Sequence, residues 1–263
     1  MNRDVSVLGR AARSSLWKGL GVILASAALA GALLYRTPCG VTRVVEDNVN
    51  GMPMIYEETV TLADLPARGW IFIPLVLGFI LLCGLLMTTG WGRGAKSAYT
   101  VRRLRVKEGT VSLLWTGYNF MMLLLFWAVT AAVLLGVMSL QVKNYPHPQE
   151  VGPQTLVLAF YGSRLLHHLL PMGDALTWIG NLVSLAACAV GCMDVARKRW
   201  VGRTGGILLA IAMALTVLSF RIDLQSGSML LVILIQAVVT GVGIYSWEER
   251  DEGEKTTAEA WRA

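Results

Sequence analysis

Charge is scarce in this sequence. Of 263 residues, only 15% are Asp, Glu, Lys or Arg, against about 25% in an ordinary soluble domain. The shortage is uneven. Long stretches carry no charge, and the charges gather in short blocks between them. Segments held in hydrocarbon and joined by wet loops have that layout. Hydrophobic residues make up 55% of the chain and the mean hydropathy is +0.57. The length suits one transmembrane domain over 1–263 and leaves little for a folded soluble one.

Catalytic patterns are also missing. There is no G-x-x-x-x-G-K-S/T loop, so nucleotide binding of the P-loop kind is excluded, and there is no H-E-x-x-H, G-x-S-x-G or C-x-x-C. The apolar runs hold almost no ionisable groups. That excludes an intramembrane protease and counts against an ion-coupled transporter, which places carboxylates in its spans. No enzyme activity, cofactor or metal is expected. Polar residues within the runs are mild: Asn119, Thr130, Asn181, Ser184, Thr216, Gln236 and Thr240. Each is expected to hydrogen-bond between helices.

Cysteine is sparse, with four residues. Cys83, Cys188 and Cys192 lie in apolar runs and only Cys39 falls in a wet segment, so no disulfide framework is built. Cys188 and Cys192 read as small packing residues. The net charge is +6 and the pI about 9.3. The basic residues sit at the ends of apolar runs and no nucleic-acid motif accompanies them, so they orient the chain in a membrane.

Six apolar runs are present, at about 17–35, 70–89, 113–140, 175–193, 205–220 and 229–247. Each is expected to be a transmembrane helix, giving an all-α integral membrane fold. Asn48–Val49–Asn50–Gly51 lies between β-rich runs in the first loop and marks a small hairpin. Residues 194–204 are expected to form a basic loop. The acidic tail 248–263 is expected to be disordered and cytoplasmic.

The stretch 155–172 decides the topology. It is apolar but contains Arg164, His167 and His168, and Pro171 closes it. If it stays outside, 17 of the 23 Lys and Arg fall on the cytoplasmic side and 6 on the outer side. If it crosses, the split is 11 against 11 with Arg164 in the bilayer. The positive-inside rule favours the first arrangement, and it avoids about 2.5–3.5 kcal/mol for a central Arg. The stretch is therefore expected to be an outer interfacial or re-entrant helix, with Arg164, His167 and His168 on one polar side. Adjacent histidines point about 100° apart on a helix, and no ligand cluster completes a metal site.

Between the second and third runs, Lys96–Ser97–Ala98–Tyr99–Thr100–Val101–Arg102–Arg103–Leu104–Arg105 has helical spacing, no Pro and no internal Gly. A short basic cytoplasmic helix is expected there. Anionic lipid or a cytoplasmic partner would both suit it.

Six spans, a cytoplasmic start and this basic segment resemble an ABC-2 type transporter permease. The resemblance implies that Tyr99, Arg102, Arg103, Leu104 and Arg105 dock a separate ABC ATPase. It further implies a homo- or hetero-dimer of membrane subunits in a bacterial cell membrane, moving a lipid-like, peptide or drug-like substrate. The family's outer re-entrant helices lie between spans five and six, whereas here the corresponding stretch follows span three. The rival reading is a non-transporting sensor, accessory or assembly protein that recognises partners through residues 36–69.

Overall fold

The computed structural model describes residues 3–37, 39–40, 42–49, 52–88, 108–144, 153–200, 205–222 and 226–260. The elements are α1 (Arg3–Arg36), β1 (Thr42–Val49), β2 (Met52–Thr59), α2 (Leu65–Arg68), α3 (Phe72–Leu86), α4 (Glu108–Lys143), α5 (Pro153–Gly162), α6 (Arg164–Leu169), α7 (Ala175–Trp200), α8 (Ile207–Arg221) and α9 (Ser226–Ala260). The chain divides into two compact units. One comprises Met1–Ile23, Gly78–Phe126 and Ala175–Ala263, and the other comprises Leu24–Leu77 and Trp127–Asp174.

In the first unit, α7 is the central helix. Within its apolar stretch 78% of residues are buried, against 28% for α9. From Ser184 to Arg197 every residue but Ala186 is buried. Small side chains make this possible: Ala187, Cys188, Ala189, Gly191 and Cys192 let neighbouring backbones come close. A Cβ on Gly191 would lie 3.0 Å from the Leu209 Cα of α8. From the other side, a Cβ on Gly243 of α9 would lie 2.5 Å from Val190 Cγ1 of α7.

Helix α9 buries Met229, Val232, Gln236, Val239, Gly243 and Trp247, which recur every three or four residues on one face. Its exposed face carries Leu230, Leu231, Leu234, Val238, Val242 and Tyr245. A helix that is apolar on its exposed side as well as its buried side suits lipid rather than water. Trp115 and Val111 of α4 pack with Val190, Met193 and Trp247 in one buried cluster.

In the second unit, β1 and β2 pair antiparallel from Thr42↔Thr59 to Val49↔Met52. That register leaves a two-residue connection, Asn50–Gly51, the pair that tight hairpin turns favour. Two long-range hydrogen bonds tie the unit together. Trp127 Nε1 of α4 donates to the Leu169 carbonyl at 2.9 Å, and Gln141 Nε2 donates to the Tyr35 carbonyl at 2.8 Å, at the end of α1.

Four helices are long and apolar enough to cross a membrane, over Ser15–Arg36, Gly109–Lys143, Ala175–Arg199 and Ser226–Trp247. Helices α3 and α8 are apolar but have 15 residues each, a rise of about 22 Å.

Three expectations change. Residues 155–172 do not form one helix: α5 ends at Gly162, Ser163 is extended (φ −95°, ψ 118°) and α6 restarts at Arg164. Residues 194–200 belong to α7 rather than to a loop, because no Gly or Pro interrupts the chain there. The acidic tail is helical to Ala260, since helix-forming Glu, Lys and Ala prevail and Asp251 and Lys255 stand one turn apart. The expected docking helix at 97–105 lies outside the described residues.

Gly191 and Gly136 test the packing of α7. Nothing lies within 4 Å of a Cβ built on Gly136 of α4. Gly191→Val is expected to destabilise the detergent-solubilised protein by about 1–3 kcal/mol of overpacking and so to lower its thermal midpoint. Gly136→Ala is expected to leave it unchanged or raise it slightly. Retention of the folded peak on size-exclusion after heating reads both.

Candidate functional site

A membrane helix core has little to offer chemistry except where a polar group is buried with a partner. In the first unit, α7 brings such groups inside at its last turns. Asp194 and Arg197 are 2% and 5% exposed. The Asp194 carboxylate takes the Lys198 ammonium at 2.5 Å, one turn along α7. Its other oxygen lies 3.4 Å from Ser246 Oγ on α9. Ser246 also donates to the Gly243 carbonyl at 2.7 Å, so its single proton goes chiefly to the backbone. The hydroxyl is therefore not primed as a nucleophile. Next to it, Trp247 is buried among Val190, Met193 and Trp115, and its indole N–H has no hydrogen-bond partner.

A second polar group joins α7, α8 and α9. Gln236 is fully buried. Its Nε2 donates to the Ala212 carbonyl at 3.1 Å and approaches Thr216 Oγ1 at 3.5 Å. Cys188 Sγ lies 3.6 Å from the same Thr216 oxygen. Cys192 donates to the Cys83 carbonyl of α3 at 3.6 Å. These contacts are hydrogen bonds between helices, as expected for Thr216 and Gln236. Asn119, Thr130, Asn181 and Ser184 are buried too.

The two groups together hold helices in register. The Asp194–Lys198 ion pair lies within α7, and its link to α9 is the long Ser246 contact. Removing one partner would leave a buried charge uncompensated. Among the described residues, no three His, Cys, Asp or Glu side chains are placed to hold a metal ion. No protein-family model matches the chain, and no curated protein or solved structure matches it.

Of the residues singled out from sequence, Tyr99, Arg102, Arg103, Leu104 and Arg105 lie outside the described residues. In the second unit, Arg164 is exposed, whereas His167 and His168 are half-buried. His167 stacks on Tyr161 with ring centroids 5.7 Å apart, so the three do not form one open polar side. Asp194 and Arg197 were placed in a wet loop by their charge. Their spacing after Ala187 and Val190 continues one helix face, and that pattern is the signal that marks them as buried.

Cys39 stands apart, in the connection before β1. Its thiol donates to the Val60 carbonyl at 3.8 Å. Burial pushes its pKa above the ordinary 9.0; the Gly40 amide lowers it by less, and Asp64 raises it further. Alkylation needs the thiolate. Cys39 is therefore expected to react slowly in the folded protein, with its rate still rising above pH 9, and rapidly once the chain is unfolded. Mass spectrometry of maleimide adducts across pH checks this.

Asp194→Ala is expected to cost about 1.5–3 kcal/mol, because the charge-assisted bond to the partly hydrated Lys198 is lost from a buried position. Ser246→Ala, which removes a weak shared contact, is expected to cost under about 1 kcal/mol. Thermal midpoints of the purified variants rank the two. Equal midpoints would mean that the Asp194–Lys198 pair adds nothing to stability.

Proposed function

We propose that this chain is a six-span protein of the cell membrane with both termini in the cytoplasm, and that it is the membrane subunit of an ATP-driven transporter whose ATPase is a separate chain. The observation that carries the reading is the break at Ser163. Helices α5 and α6 have 10 and 6 residues, and ten residues rise only about 15 Å, half the hydrocarbon thickness. In this reading neither crosses, and with six crossings elsewhere the C-terminal tail shares a side with the basic N-terminus and the basic segment 93–107.

Helices α3 and α8 complete the six. Fifteen residues span when the bilayer thins locally and flanking residues extend to the interface. Trp70 precedes α3, and Arg221 closes α8.

In this reading the chain hydrolyses nothing itself. The ATPase binds ATP and pulls on the segment containing Tyr99, Arg102, Arg103, Leu104 and Arg105, and two membrane subunits rock against each other. The apolar interior suits a lipid-like, peptide or drug-like substrate.

Two measurements on tagged protein in its native membranes test the proposal. A C-terminal tag should be reached by antibody only after the membrane is opened. ATP hydrolysis should co-purify with the chain and be lost in Arg102→Glu/Arg103→Glu while the amount of chain is unchanged. A tag open to the outside would overturn the topology. Absence of co-purifying hydrolysis from the wild type would replace transport with an accessory or sensing role.

A further inference from the structure

Helix α5 has two sides of unusual character. Ala159 and Phe160 are buried within their unit. The other side shows Val157, Leu158 and Tyr161, which are 44%, 68% and 55% exposed. Met172, also exposed, adjoins this stripe, because the Tyr161 hydroxyl donates to its backbone carbonyl at 3.0 Å. That bond takes up the polar end of Tyr161, and His167 stacks on its ring. What Tyr161 presents outward is therefore apolar carbon. From Pro153 to Gly173 there is no acidic residue, and the one Arg, Arg164, is exposed beside the stripe.

A helix resting in water turns its polar side outward and its apolar side to the protein. Here the outward side is mostly apolar as well, with Gln154 in the first turn of α5 as its exposed polar side chain. Other exposed apolar residues of the same unit, Leu24, Leu29 and Leu33 on α1, belong to a helix long and apolar enough to cross a membrane. The chain's own spans would hold α5 within reach of a bilayer, and the absence of acidic groups suits a phosphate-rich surface.

We infer that α5 is embedded in the outer leaflet, with Val157, Leu158, Tyr161 and Met172 against acyl chains and Arg164 at the level of the lipid phosphates. The inference rests on the membrane reading above but not on the ATPase. It makes α5 and α6 a lipid-contacting foot rather than a water-facing recognition surface.

Nitroxide labelling tests it. The four native cysteines are buried, so the label goes to introduced sites. Leu158→Cys is compared with Leu29→Cys as a lipid reference and Asn144→Cys as an exposed polar reference, in phosphatidylglycerol–phosphatidylethanolamine vesicles. Val157→Cys replaces Leu158→Cys if the latter does not fold. Collisional relaxation by oxygen, which concentrates in lipid, is set against that by a water-soluble nickel chelate. At position 158 oxygen should prevail several-fold, as at 29 and unlike 144. If the chelate prevails at 158 while oxygen prevails at 29, the stripe faces water and covers itself with a protein partner or a second copy, and the inference is wrong. If the chelate prevails at 29 as well, the membrane reading itself fails.

Discussion

The close approach of α8 and α9 to α7 is the constraint on which the first unit depends. Lipid tails are as apolar as leucine, so burying leucine between helices gains little in a membrane; dispersion contacts and interhelical hydrogen bonds supply the attraction. Both need backbones near each other. Gly191 admits the Leu209 backbone, and Gly243 admits Val190. With the helices that near, the Gln236 side chain can reach across to a main-chain carbonyl of α8. Helices held further apart by leucines would leave the Gln236 Nε2 donor without its carbonyl, at a cost of about 1–3 kcal/mol.

Asp194 is made tolerable within α7 itself. A carboxylate withdrawn from water pays a heavy desolvation penalty unless charge and hydrogen bonds return it. Lys198 stands one turn further along α7, and its side chain is 23% exposed against 3% for Asp194. The ammonium can thus keep part of its hydration while neutralising the buried partner. The pair adds little net stability over a well-packed apolar pair of the same volume. What it adds is a carboxylate neutralised within α7, so that Asp194 can be buried among its neighbours.

The features of the sequence that were legible are those carried by local chemistry. Asn50–Gly51 between two β-rich runs marked the hairpin, and the structure pairs the strands with that dipeptide between them. Hydropathy over about twenty residues marked the four long helices. The ends of helices were less legible, because charged residues end an apolar run without ending the helix. Arg197, Lys198 and Arg199 read as the start of a loop, but arginine and lysine are good helix formers and lie favourably near a helix C-terminus. The break at Ser163 was not legible either. A single Gly before it is a weak stop, and nothing else in the local sequence marks the extended backbone at Ser163.

The buried faces were the least legible part, and the membrane explains why. In a water-soluble helix, hydropathy separates the face that packs from the face that does not. In α9 it cannot: the buried Val232 and Val239 are chemically the same as the exposed Val238 and Val242. What distinguishes the buried face is size and polarity at particular steps, with Gly243 for approach, Gln236 for a cross-helix bond and Trp247 for bulk at the end. A periodicity of small and mildly polar residues is therefore the pattern that carries the packing of such a chain. Read that way, Ala187, Val190, Asp194 and Arg197 line up as one continuous face of α7, and the charged pair belongs to the core rather than to the loop beyond it.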